Sequence, residues 1–170
     1  MCDVAGGIAR EQCKNTQGGY KNLYLFNSQE NPFTVVDSVV TAIDGSLTTV
    51  YKFGLSLNGN SLTEDLVPDR ASGTSLNTQT VVAMLTKISA EKSNILNNVA
   101  KSYPMAVIED YNGVYHAIGI DSGIDFTVQS TTGASQSGEL YGYTLTGVAS
   151  TSALSPKLDA TTKDAFLALV

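Results

Sequence analysis

Residues 105–120 read MAVIEDYNGVYHAIGI, and this stretch predicts the β-hairpin around which the fold is organised. Asn112-Gly113 separates two apolar runs, and Asn-Gly is the strongest short hairpin signal because a type I′ turn needs positive φ at both central positions. The only histidine of the chain, His116, follows the turn. The hairpin is therefore either a structural element or the edge of an active site.

The segments before the hairpin predict strands. Residues 20–28, 33–44 and 47–59 are rich in β-forming residues. Asp44-Gly45 predicts a hairpin between the second and third of these strands. The pattern of residues 75–88 is compatible with a helix or a strand, and we interpret it as a strand.

One helix is expected at about 90–102. Ser89 can cap its first turn, Glu91 suits the positive end of the helix dipole, and Pro104 prevents continuation. The apolar residues at helical spacing are expected to be buried, namely Ile95, Leu96 and Val99.

Two further strands are predicted at 123–133 and 141–150, and Asp159 can cap a short helix at 159–170. The sum is roughly six to eight strands with one clear helix between them. The expected fold class is α+β, mainly β, built as a β-sandwich or barrel with one flanking helix.

The chain of 170 residues suits a single domain spanning 1–170. Three segments lie outside the expected core: an N-terminal arm at 1–19, a long polar loop at 58–73, and a C-terminal arm or helix at 155–170. The loop contains Pro68 and is too irregular for a strand. Connections of this length are often functional or contact a partner.

Charged residues make up only 15% of the chain, below the roughly 25% usual in soluble domains. Ser, Thr, Asn and Gly replace them, which hints at a subunit covered by copies of itself. The net charge of −6 and the scattered basic residues argue against binding to nucleic-acid phosphates or anionic membranes. The first residues lack the features of a secretory signal, so we expect a protein that is made and retained in a cytoplasm.

The two cysteines are Cys2 and Cys13. Two thiols alone cannot complete a four-ligand zinc site. A disulfide closing CDVAGGIAREQC is geometrically feasible but unexpected in a reducing compartment, so we interpret both residues as free thiols.

His116 is the natural candidate for a general base. It is accompanied by no serine or cysteine in a recognisable nucleophile motif, which favours a packed or surface strand histidine. Glu109 and Asp110 are adjacent, so on a strand they point to opposite faces. A glycosidase-like pair would need one more carboxylate, for which the candidates are Asp121, Asp125 and Glu139.

Glu64, Asp65 and Asp69 could offer oxygen ligands to Ca²⁺, but their spacing lacks the order of a calcium loop. We interpret them as a solvated acidic loop or as a contact with a neighbouring subunit. The glycines form neither a dinucleotide-binding motif nor a Walker loop. We therefore expect no catalytic residues, no metal site and no cofactor.

The second half of the chain has a more specific pattern. TQTVVAMLTK, SAEKSNILNNVAKS and MAVIEDYNGVYHAIGIDSGIDFT occur in this order, and a small-residue loop after TTG leads into GELYGYTLTGVAS. Over residues 75–150 this resembles virion structural proteins of tailed bacteriophages, particularly those of Bacteroidetes hosts. The likeness is strongest to their tail-tube (major tail) or tail- and neck-ring subunits.

The resemblance implies a non-enzymatic, tail-tube-like subunit whose copies form stacked, hexameric rings around a channel for DNA ejection. Its partners would be itself, other phage tail or neck proteins, and DNA that passes without specific binding, with no membrane. It would be assembled in the host cytoplasm and located in the virion tail. Asn112 and Gly113 would fix a structural turn, whereas Glu64, Asp65 and Asp69 would face the lumen or the next ring.

Three alternatives remain open from the sequence. A head–tail connector or neck-ring protein belongs to the same class. A carbohydrate-binding or adhesin β-sandwich module, and a small hydrolase that uses His116 with a carboxylate, belong to other classes.

Overall fold

A computed structural model describes residues 6–10 and 13–170, which form a mainly β, α+β fold with two sheets. Among these residues, no helix is long and apolar enough to cross a membrane. The strands are β1 (Tyr20–Phe26), β2 (Phe33–Val36), β3 (Val39–Ile43), β4 (Tyr51–Gly54), β5 (Ser61–Asp69), β6 (Thr74–Thr86), β7 (Met105–Asp110), β8 (Tyr115–Ile118), β9 (Asp125–Thr131), β10 (Gly142–Thr151) and β11 (Lys157–Leu158). The helices are α1 (Ala90–Lys101) and α2 (Ala160–Leu167).

The strands form two sheets. The seven-stranded sheet has the order β2-β3-β11-β8-β7-β1-β4, and the four-stranded sheet has the order β5-β6-β10-β9. Neighbouring strands are antiparallel except β11 and β3, which are parallel. The predicted sandwich class is therefore confirmed, with a second helix in addition to the expected one.

The hairpin predicted at 105–120 is present as β7 and β8, inside the seven-stranded sheet. Its turn differs from the predicted type I′. Only Gly113 has positive φ, at +81°, and its N–H donates to the Asp110 carbonyl at 3.2 Å. This is the longer hairpin loop in which a left-handed glycine follows a tight turn.

One core cluster lies between the two sheets. Alternate side chains of β1, β7 and β8 meet side chains of β6 and β10 there, and α1 contributes one buried leucine. Its main members are Tyr20, Leu23, Leu25, Val81, Ala83, Leu85, Leu96, Ala106, Ile108, Ile118, Ile124, Phe126, Tyr143 and Leu145.

A second core cluster lies on the opposite face of the seven-stranded sheet. It contains Tyr24, Phe26, Phe33, Val40, Leu47, Val50, Met105, Val107, Tyr115, Ala117 and Phe166. β7 contributes side chains to both clusters, so both of its faces are buried. This explains its almost continuously apolar sequence.

The single strand predicted at 33–44 is wrong, because two strands occupy this range. Asp37 and Ser38 form the turn between β2 and β3, with φ of +49° and +64°. Positive φ at both positions matches a two-residue hairpin turn. Neither residue is a glycine or an asparagine, so the usual turn signal is missing.

The strand predicted at 47–59 is present but much shorter, and the hairpin predicted with the preceding strand is wrong. Only β4 forms, and it pairs with β1 instead of β3. Asp44 does begin a turn, since its carbonyl accepts from Leu47 N at 3.1 Å. Leu47 and Val50 are then buried in the second cluster, so the chain crosses to the other edge of the sheet.

The loop predicted at 58–73 is wrong, because β5 occupies most of this range and pairs with β6 from Ser61 to Asp69. Pro68 lies opposite Ser75 in this pairing. A proline is tolerated there because β5 is an edge strand of its sheet, where a missing N–H need not break the ladder.

The predicted helix near 90–102 is confirmed as α1. Ser89 Oγ accepts from Lys92 N at 3.2 Å, as expected for the cap. Leu96 is buried, but Ile95 is 45% exposed, so its predicted burial is wrong. Ile95 instead borders an open groove, described below.

At the C-terminus, the helix alternative is the one observed. Asp159 caps α2, since its Oδ1 accepts from Thr162 N at 2.7 Å. The segment is not an arm, because β11 is inserted between β3 and β8 and Phe166 is fully buried. The apolar end of this segment packs in the chain's own second cluster.

Candidate functional site

His116 is half-buried on β8 and faces a carboxylate. Its Nε2 lies 3.3 Å from Asp110 Oδ2. Burial alone would raise the pKa of Asp110, but hydrogen bonds from Val114 N, His116 and Asn112 N outweigh it and lower that pKa. In the part of the chain that the structure describes, His116 Nδ1 is buried without a hydrogen-bond partner. This pair could position a proton, but its carboxylate also holds the hairpin turn.

Glu109 points to the other face of β7 and is mostly buried. Its Oε1 lies 2.8 Å from Lys21 Nζ, and its Oε2 accepts from Asn22 Nδ2 at 2.6 Å and from the Tyr24 hydroxyl at 3.5 Å. Burial would raise its pKa, but the bonds from Lys21, Asn22 and Tyr115 lower it overall. The carboxylate thus links β1 to β7 and β8.

Glu64 is half-buried on β5, and its carboxylate accepts hydrogen bonds from β6 and from the segment before β11. Its Oε1 accepts from Asn77 Nδ2 at 3.1 Å, Gln79 Nε2 at 3.0 Å and Ser155 N at 2.7 Å, and its Oε2 accepts from Ser155 Oγ at 2.7 Å. Burial would raise the pKa of Glu64, but these bonds lower it overall. Glu64 therefore fastens the segment before β11 to the four-stranded sheet.

Asp65 and Asp69 do not join Glu64. Alternation along β5 places Asp65 on the opposite face, and both aspartates are exposed. Asp69 organises the turn after β5 by accepting from Ala71 N and Ser72 Oγ, each at 2.8 Å. Across residues 6–10 and 13–170, no group of His, Cys, Asp and Glu could hold a metal ion.

The end of the β5–β6 hairpin is a two-stranded arm, formed by residues 65–76. β10 pairs with β6 only as far as Asn77, and every residue of the arm is exposed. Val67 pairs with Leu76, and these side chains are 64% and 52% exposed. The arm therefore presents apolar side chains to solvent without a third strand beside them.

A groove of about 790 Å³ lies between β4 and α1. Its floor includes Phe26, Leu85 and Leu96, which are buried, and its rim includes Tyr51 and Ile95, which are exposed. Lys92 also lines it, whereas Lys52 borders it with its ammonium group over the Tyr24 ring, on the other face of the sheet. Among the described residues that line the groove, there is no carboxylate.

The outer face of the four-stranded sheet is broad and almost uncharged. Registers across the sheet place mainly threonine on this face, with three aspartates, Asp65, Asp69 and Asp125, and no lysine or arginine in the four described strands. Its residues include Thr63, Asp65, Val67, Thr78, Thr80, Val82, Met84, Asp125, Thr127, Gln129, Thr144, Thr146, Val148 and Ser150.

The described part of the N-terminal segment, residues 6–10 and 13–19, is exposed and lacks helix or strand. It is attached to the hairpin turn through Asn112 and Gln17. Cys13 is exposed, whereas Cys2 lies outside the described residues, so their predicted free-thiol state stays a prediction.

Sequence reasoning did not identify the arm or the groove. The alternation in SLTEDLV and the Ser72-Gly73 pair that follows are hairpin signals, but Pro68 argued against a strand. The groove has no sequence signal, because it joins β4 to a helix that lies far away in the chain.

Comparison of the chain with protein-family models, with curated proteins and with solved structures gives no match in any of the three.

Proposed function

We propose that this protein is a structural subunit of a phage tail tube, whose copies assemble into rings that stack around a channel for DNA. The proposal rests on the sequence resemblance over residues 75–150 and is supported by the four-stranded sheet. The observation that carries it is the pair of open edges on that sheet, β5 and β9.

The strand directions suit closure into a ring. Each neighbouring pair in β5-β6-β10-β9 is antiparallel, so β5 and β9 run in opposite directions. If β9 of one copy lies beside β5 of the next, the new pair is antiparallel as well. The same contact repeated around an axis gives a closed ring and leaves no open edge.

The outer face of this sheet suits a channel wall. Threonine, Gln129 and three aspartates give a polar surface without the cations that bind phosphate. A neutral-to-acidic wall repels DNA weakly and lets it slide. In this arrangement the seven-stranded sheet and α2 lie outside the channel.

The test is the state of assembly. The full chain is purified and measured by mass photometry and negative-stain electron microscopy over a range of protein concentrations. Rings or tubes with a central channel support the proposal. A protein that stays monomeric at high concentration overturns it, and a monomer that binds glycans on an array favours an adhesin module instead.

If rings form but never stack, even when the tail fraction of a virion lysate is added, the tail-tube proposal is overturned. This result favours a connector or neck-ring protein. Image classes of the ring give its symmetry directly. The sixfold symmetry that the resemblance implies is therefore tested separately from the question of whether the rings stack into a tube.

A further inference from the structure

We propose that the arm of one subunit docks in the groove of a second copy in the next ring. This inference rests on the proposed function and assigns the surfaces that join successive rings. The occupant of the groove is thus residues 65–76 of another copy of this chain.

The two surfaces lie at opposite ends of one strand. The arm begins beyond Asn77, near the start of β6, and the groove includes Leu85, near its end. At about 3.3 Å per residue, these positions are separated by roughly 26 Å along the strand. A shift of one copy along the strand direction therefore brings its arm towards the groove of the next.

A contact of this kind is head-to-tail, since it joins two different surfaces of the same chain. It leaves a free groove at one end of the stack and a free arm at the other, so it can repeat without limit. This property suits ring-to-ring stacking, and it differs from the closed contact proposed for β5 and β9.

The apolar parts of the two surfaces match. The arm offers the exposed Val67–Leu76 pair, and the groove offers the exposed Tyr51 and Ile95 above a buried apolar floor. Burial of these side chains would remove apolar surface from water on both partners. It would also support a ribbon of only two strands, which has little stability of its own.

The charges are complementary as well. Asp65 and Asp69 lie on the arm with one cation, Arg70, whereas the groove carries Lys92. Lys92 Nζ donates to the Thr86 carbonyl at 2.6 Å, which fixes its charge near the groove. Charge pairs of this kind set the orientation and partner choice of an interface.

The experiment compares charged substitutions inside and outside the two surfaces. Val67→Asp is matched by Val114→Asp, another exposed valine, and Ile95→Asp is matched by Asn97→Asp on the same helix. Tube length and the protein concentration needed for stacking are measured by electron microscopy and sedimentation. Circular dichroism checks that each variant is folded.

Val67→Asp and Ile95→Asp should each raise the concentration needed for stacking by about tenfold or more, and rings should still form. The two control variants should stack like the unmodified chain. Asp65→Lys and Lys92→Glu should each weaken stacking, and the two reversals combined on one chain should restore it, because the exchanged pair is then again one of opposite charges.

Rings that stack normally in the Val67→Asp and Ile95→Asp variants overturn the arm-and-groove contact while leaving the ring itself intact. Failure of the combined charge reversal to restore stacking overturns the pairing of these two surfaces. An unmodified chain that forms no rings overturns the proposed function, and the docking proposal with it.

Discussion

The side chain of Asn112 makes two hydrogen bonds to the backbone of Gln17. Its Oδ1 accepts from Gln17 N at 2.9 Å, and its Nδ2 donates to the Gln17 carbonyl at 3.0 Å. The residue that predicts the hairpin turn from the sequence therefore has a second role. It attaches the N-terminal segment to the tip of β7 and β8.

Asn112→Ala should release this segment without unfolding the domain. Each exposed hydrogen bond contributes about 1 kcal/mol, so trypsin should cleave after Lys14 about fivefold faster or more, while the unfolding midpoint changes little. Mass spectrometry of timed digests measures the rate. Asn97→Ala, at an exposed position on α1, is the control, and equal cleavage of both variants would contradict the prediction.

Gly123→Ala should destabilise the protein more than Gly113→Ala. Both glycines have positive φ, which costs a side-chain residue about 1–2 kcal/mol. A Cβ at Gly113 meets nothing within 4 Å, but one at Gly123 would lie 2.5 Å from the Tyr103 carbonyl oxygen and adds a clash of about 1–3 kcal/mol. Denaturant unfolding measures the difference. Gly138→Ala, with open space and no positive φ, should be nearly neutral.

Glu64→Gln should destabilise the fold by about 1–3 kcal/mol at neutral pH, because the amide replaces one acceptor oxygen with a donor. The folded-state pKa of Glu64 is lower than its ordinary value of 4.5. The stabilisation is therefore complete above that value and is lost as the pH falls through the folded-state pKa.

The measurement is denaturant unfolding of both proteins from pH 7 to pH 3. The difference between Glu64→Gln and the unmodified chain should shrink towards pH 3. Glu30→Gln, at an exposed carboxylate, should show little difference at any pH. If the difference in unfolding free energy stays constant with pH, the loss of stability comes from altered packing and not from the charge of Glu64.

Local signals predict the elements that depend on local chemistry. Ser89 and Asp159 act as caps, so the starts of α1 and α2 follow from the sequence. The Asn112-Gly113 hairpin follows for the same reason, although Asp110 shifts the turn type by accepting from Asn112 N and Val114 N.

Pairings between distant parts of the chain could not be predicted in this way. The two-residue strand β11 has no periodicity, yet it lies between β3 and β8 because α2 is anchored by Phe166. β4 pairs with β1, and Leu47 and Val50, which precede it, are buried in the second cluster. Glu64 could not be recognised as the acceptor of hydrogen bonds from Ser155, since Ser155 lies 91 residues away.

Phe166→Ala should destabilise the protein by about 3–5 kcal/mol, the usual cost of removing a buried phenylalanine. Its ring packs edge-on against Tyr24 at 5.7 Å and lies 6.3 Å from Phe26, so no neighbour can readily fill the space. Thermal and denaturant unfolding measure the loss. Val170→Ala, at a half-exposed position, should cost less than about 1 kcal/mol, and similar losses for the two variants would refute an anchoring role.

The outer face of the four-stranded sheet should become a DNA-binding surface when cations are added. If this face lines a channel, Gln129→Lys with Val148→Lys places two new cations per subunit around the lumen. Assembled particles should then retain short duplex DNA, and retention should weaken steeply with salt because counterions are released on binding. Thr41→Lys with Thr161→Lys adds the same charge on the side of the seven-stranded sheet and is the matched control.

Retention is measured from the electrophoretic mobility of labelled DNA at several salt concentrations. Excess unlabelled DNA is added to compete for binding to the outer surfaces of the particles. Equal retention by both double variants would place neither face in the lumen and would contradict the proposed orientation of the subunit in the ring.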